Sequence, residues 1–256
     1  MLQINISTMN WNGIRYGVFC LIALFGLNAC KSAKDAVKPK HVELKHWLTL
    51  QKYPCFGHCH VYKLSMYRNG LVILEGKEHL EQTGVYFSQL SQDKIRSFKR
   101  MSDALNWASY QAEYLINIPD LPLTELTYFD ENGAKNKFIK SNSNLPNPLD
   151  ELTKTMAALI KSEKWTQIQK KSDLTNPEII SDEFIVDMDS TLTATQLENE
   201  FYLYDLKSKK RLSNEMNLWS FKYDETKINR YEMLIMLRMR TGIRSVNNNL
   251  KILPRE

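Results

Sequence analysis

From His41 to Leu90 the apolar residues fall in short runs rich in aromatic and branched side chains, VELKHWLTL, HVYKLSMY, LVILEG and GVYFSQL, separated by turn formers. Such runs predict strands. Asn69-Gly70 joins two of them, and Asn-Gly is a strong hairpin signal because both central residues of the turn take positive φ. The period then changes. Ser91 is placed to cap a helix from Gln92 to about Trp107, with Ile95, Phe98, Met101 and Leu105 on one face at steps of three and four. TELTYFD and AKNKFIK, joined by a Glu131-Asn132-Gly133 turn, predict a second hairpin. Leu152, Met156, Leu159 and Ile160 predict a helix from Leu149 to about Lys164.

Residues 165–177 lose the apolar period and gain charge, which marks a linker. Beyond them EFIVDMD reads as a strand, TATQLENEFYLY as a helix, KRLSNEMN and LWSFKYD as two strands, Lys227 to Thr241 as a helix ended by Gly242, and IRSVNN as a last strand. The order βαββαβ predicts a ferredoxin-like sandwich. The expected fold class is therefore α+β in two small domains. Residues 41–164 form the first, from antiparallel hairpins with two helices, and residues 178–256 form the ferredoxin-like second.

The start of the chain has a different character. GVFCLIALFGLNA, Gly17 to Ala29, is uncharged, follows Arg15 and runs into Cys30. A spanning helix needs about 20 apolar residues, and Lys31 and Lys34 end this run sooner. It reads as a lipoprotein signal peptide over residues 1–29, with Met9 as an alternative start, and Cys30 as the residue to be lipidated after cleavage. Residues 30–40, small, polar and ended by proline, suit a tether. The expected location is the cell envelope, with the membrane as a partner through the lipid on Cys30. Lys31 gives no aspartate-type retention signal, which points to the outer membrane.

Loss of Arg15 with the leader lowers the formal net charge from +5 to +4, too mild a balance for a nucleic-acid partner. Lys170-Lys171 and the run from Lys207 to Arg211 read as solvated surface, with anionic headgroups as the alternative. Cleavage removes Cys20 and lipidation consumes Cys30, leaving Cys55 and Cys59 in an oxidising compartment, where two cysteines pair. An unbroken strand would hold their Cα atoms about 13 Å apart, far beyond the roughly 7 Å that a disulfide spans. A turn is required, and Gly57 supplies the positive φ. The rivals are a Cys2His2 metal shell with His58, His60 and His41 or His46, whose spacing departs from zinc knuckles, and a redox-active pair, which lacks Cys-x-x-Cys.

FIVDMDSTLT at 184–193 resembles the Asp-x-Asp-x-Thr nucleophile motif of haloacid-dehalogenase-type phosphatases, which would make Asp187 a nucleophile and Asp189 an acid-base group. Only 65 residues follow Thr191, and the later acidic pair for magnesium is missing, so a strand turning into a capped helix is the expectation. There is no Gly-rich phosphate loop, His-Glu-x-x-His or Gly-x-Ser-x-Gly. No catalytic residue, metal or cofactor is expected.

Cys55-x-Gly57-x-Cys59 with Tyr62, the Asn69-Gly70 turn, Glu75-Gly76, Leu90-Ser91 and Asp120-Leu-Pro122 make residues 41–163 similar to a domain of unknown function common in bacterial envelope lipoproteins, with His60 where that family has proline. Glu183 to Asp187, Leu212-Ser213, Leu218 to Phe221, Leu234 to Arg238 and Gly242 to Asn247 resemble the propeptide and inhibitor domains of subtilisin-like proteases. That resemblance implies a protease-contacting tail at Asn248, Asn249, Leu250, Lys251 and Ile252. The function expected is a non-enzymatic, membrane-anchored protein-binding lipoprotein whose partner is an envelope protein. The alternative is a trans-acting inhibitor or chaperone of such a protease.

Overall fold

The computed structural model describes residues 43–251; the leader, Cys30, the tether and Ile252 lie outside them. The first sheet is built from β1 (His46–Lys52), β2 (Val61–Tyr67), β3 (Leu71–Glu78), β4 (Gly84–Gln89), the two-residue β5 (Glu113–Tyr114), β6 (Thr124–Phe129), β7 (Lys135–Ser141) and β8 (Thr166–Lys170). Its strand order is β5-β7-β6-β1-β2-β3-β4-β8. All its ladders are antiparallel except β5 with β7. The hairpins expected separately are thus one continuous sheet, because β1 pairs with β2 on one side and with β6 on the other.

The apolar run that opens β3 shows how this sheet is covered. Leu71, Val72, Ile73 and Leu74 are all buried, and successive strand residues face opposite ways. Val72 and Leu74 join a core with Trp47, Phe98, Leu149, Leu152 and Met156, beneath helices α1 (Gln92–Asp103) and α2 (Asn147–Ser162). Leu71 and Ile73, with Tyr67, Val85 and Ile168, join the core of the second sheet. A strand covered on both faces has no polar side to alternate with, which is why its sequence reads as unbroken hydrophobe.

The second sheet comprises β9 (Ile179–Met188), β10 (Lys207–Arg211), β11 (Leu218–Lys222) and β12 (Ile243–Leu250), with α3 (Ala194–Glu200) after β9 and α4 (Arg230–Met239) after β11. The order β10-β11-β9-β12, antiparallel throughout, is the ferredoxin-like arrangement. Thr193 with Gln196, and Asn229 with Glu232, make capping boxes that start α3 and α4. Helix α4 buries six consecutive residues, Glu232 to Leu237. A helix buried all round is packed on both sides, here between the second sheet and the second face of the first.

Three differences from the sequence reading have physical causes. Residues 165–177, expected as a linker, hold β8, which pairs with β4. Ile168 is its apolar contribution to the shared core, and Gly84, at φ 116°, admits it: a Cβ there would lie 2.4 Å from the Gln169 carbonyl oxygen. The strand expected at 210–217 falls instead on the basic run Lys207–Arg211, a cationic sheet edge that discourages further pairing. Finally, β12 continues through Leu250 because Asn248 accepts a hydrogen bond from Arg230 (2.8 Å) and Asn249 donates one to Glu183 (2.8 Å).

The two layers are clasped by one carboxylate. Glu232 accepts from the Tyr67 hydroxyl (2.5 Å) and faces His46 Nε2 at 3.0 Å, while its other oxygen accepts from the Asn229 N–H (3.2 Å). Burial alone would raise its pKa, yet His46, Tyr67 and Asn229 together hold it below the ordinary 4.5. Arg238 adds a second clasp, donating to the carbonyls of Ile168 and Val246, one from each sheet. Because Glu232 is more acidic folded than unfolded, its contribution is complete above its unfolded pKa and is lost as pH falls through the folded value. Glu232→Ala should lower unfolding free energy at pH 7 by about 3 kcal/mol in urea titration, and Glu232→Gln should flatten the acid limb of the stability profile.

Candidate functional site

The loop between β1 and β2 is short for the chemistry it contains. Cys55 and Cys59 are joined in a disulfide with Cα atoms 5.8 Å apart, well inside the geometric limit. Gly57 takes φ 129° with nothing within 4 Å of where a Cβ would stand, so glycine is needed there for backbone conformation and not for space. The turn required by the cysteine spacing is therefore present, and the thiols are spent on each other, not on a metal. At the tip Phe56 is 90% exposed.

A second loop leans on this one. Tyr53 N donates to the Leu123 carbonyl (3.0 Å) and Phe56 N to that of Asp120 (3.3 Å), where Asp120 itself holds φ 60°. This loop carries Leu115, Ile116 and Ile118, exposed by 45%, 45% and 54%. Four large apolar side chains thus sit on two loops tied together at one end of the first sheet, the kind of exposed apolar surface that marks contact sites.

Behind the disulfide lies a cleft of about 260 Å³ lined by Lys52, Tyr53, His58, Cys59, His60, Tyr62 and Pro122. It shares His60 and Tyr62 with a neighbouring cleft of about 570 Å³ reaching His79, Leu80, Glu81 and Lys161. Lys52 donates to Thr124 Oγ1 (2.7 Å), and burial lowers its pKa against the pull of Asp150. Burial pushes the Tyr62 phenol up to about 12, so it remains a neutral donor. The rings of His58 and His79 meet with centroids 5.0 Å apart. Among the described residues no three His, Cys, Asp or Glu side chains gather about one point.

The structure separates other residues that the sequence offered together. His46 stands at the opposite end of β1, engaged by Glu232, while His41 lies outside the described residues. Asp187 forms a two-point ion pair with Arg244 (2.5 and 3.1 Å). Asp189 accepts from the Thr191 N–H (2.8 Å) and hydroxyl (2.5 Å), which lowers its pKa. The phosphatase-like motif is thus a strand end, a turn and the Thr193 cap of α3. Asn248, Asn249 and Leu250 are strand residues, and Lys251 N donates to the Glu178 carbonyl (2.8 Å), so none of the four forms a free tail. Nothing in the local sequence of His79 marks it; it reaches His58 only through β2–β3 pairing.

Residues 46–160 match the family described as Domain of unknown function (DUF6438). The match takes in β1 to β7, the disulfide loop, α1 and all but the last two residues of α2, and stops before β8. No curated protein and no solved structure matches the chain.

The disulfide closes a small ring, so its worth to the fold is modest, about 2 kcal/mol by loop-closure entropy. Replacing both Cys55 and Cys59 by serine should leave far-UV circular dichroism unchanged and cost no more than that in urea. Amide exchange should accelerate across residues 54–60 while β1 and β2 stay protected.

Proposed function

We propose that this protein is a lipid-anchored envelope protein without catalytic activity, which binds another envelope protein through the disulfide loop and the loop beside it. The observation that carries this reading is Phe56. Its ring is 90% exposed on a loop fixed by a covalent staple, so little conformational entropy remains to be lost when a partner covers it. Exposed aromatic anchors amid smaller apolar contacts are what protein interfaces use, and Leu115, Ile116 and Ile118 supply that surround.

Strand β1 enters at His46 and leaves at Lys52, a run of about 20 Å. Phe56 follows the Lys52 end of that strand, so the two apolar loops stand together at the end of β1 opposite His46.

The inhibitor reading is favoured by one observation, the ferredoxin-like strand order of the second sheet. Its expected contact residues Asn248 to Lys251 are bonded into that sheet or to Glu178, so inhibition would have to use another surface. Micromolar full-length protein that slows a subtilisin-like protease would support this reading; no slowing would end it.

A photo-crosslinking residue placed at position 56 of the full chain in cells should yield a discrete adduct absent when it is placed at Lys154, which is exposed on α2. The partner so identified, once purified, should bind wild type at least tenfold more tightly than Phe56→Ala. No adduct, or equal affinities, would refute the reading.

A further inference from the structure

We infer that His58 and His79 form a divalent-cation site, of the borderline class that imidazole prefers, with Zn²⁺ as the reference ion. A tetrahedral zinc bound to imidazole nitrogen at about 2.0–2.1 Å lies about 3.2 Å from each ring centre, which puts two ligated rings about 5.2 Å apart, centre to centre. The His58 and His79 centroids are 5.0 Å apart with the ring planes at 85°. The ring centres therefore stand at a separation that one shared ion accepts once the nitrogens are turned toward it.

The backbones behind them are restrained and the rings are not. His58 follows Gly57 inside the ring closed by Cys55–Cys59, which fixes the direction from which it approaches. His79 holds φ 58°, a left-handed conformation uncommon for residues other than glycine, and it directly follows the last residue of β3. Both residues are exposed, and neither ring nitrogen hydrogen-bonds to another described side chain or backbone group. The nitrogens are thus available, and rotation about the side-chain bonds can turn both toward one point.

The disulfide removes the competing sulfur ligands. Because the thiolates of Cys55 and Cys59 are bonded to each other, the soft ligands that would otherwise capture the ion are absent and the imidazole pair is what the loop offers. With no third protein ligand gathered there among the described residues, water completes the coordination. Such an open site exchanges its ion readily and leaves positions for a ligand from another molecule. The site stands independently of the protein-binding reading above, since it uses neither Phe56 nor the Leu115–Ile118 loop.

Isothermal titration of the full-length oxidised chain in detergent with ZnCl₂, in a non-chelating buffer, tests it. The expected result is one equivalent bound, with affinity reduced at least tenfold in His58→Ala and equally in His79→Ala. Zinc should also move the imidazole carbon-bound proton resonances of both residues in the wild type. Since both side chains are exposed, the variants should keep the wild-type circular dichroism. Absence of binding, binding unchanged in both variants, or loss in only one of them would overturn the paired site.

Discussion

The structure depends on the carboxylate of Glu232. That side chain starts α4, by closing the capping box with Asn229, and it joins α4 to the first sheet through Tyr67 and His46. The same group therefore sets where a helix begins and what that helix packs against. A charge taken this far from water is tolerated only where hydrogen bonds and a neighbouring partner replace hydration, and Glu232 has three such contacts. Leu71, Ile73 and Val85 are buried by the second sheet's core beside this polar contact, since Tyr67 belongs to the same cluster.

Much of the architecture was readable one element at a time. The runs TELTYFD and AKNKFIK around their Asn-Gly turn and the Ser91 cap are local features, and local features leave local signatures. The ferredoxin-like half was readable because each of its elements carries its own period. What could not be read was mutual cover. Strand β8 has one apolar residue of consequence, Ile168, between glutamines, and its pairing is decided by the bare backbone of Gly84 on another strand. The near-continuous apolar stretch in α4 reports burial without reporting by what.

The candidate site divides in the same way. Cys55, Gly57 and Cys59 lie within five residues, so backbone geometry sufficed to require a turn and allow a disulfide. Phe56 at the tip and Asp120 beside it come together only because β1 pairs with β6, which brings the Leu115–Pro122 loop alongside. His79 arrives by way of β3. Conversely, Asp187 and Asp189 share a motif-like spacing in sequence but serve Arg244 and Thr191 separately, since spacing along a strand end does not make two carboxylates face one substrate.

Sandwiching α4 between two sheets has a consequence for what counts as a unit of this molecule. The family match ends at Ile160, yet the face of the first sheet bearing Leu71, Ile73, Val85 and Tyr67 is roofed by residues far beyond it. In this chain the recognisable stretch is half of a joint, and the ferredoxin-like half is its lid. A relative that carries the same strands beside a different neighbour must find another roof for that face, so divergence at these four positions would record a change of neighbour.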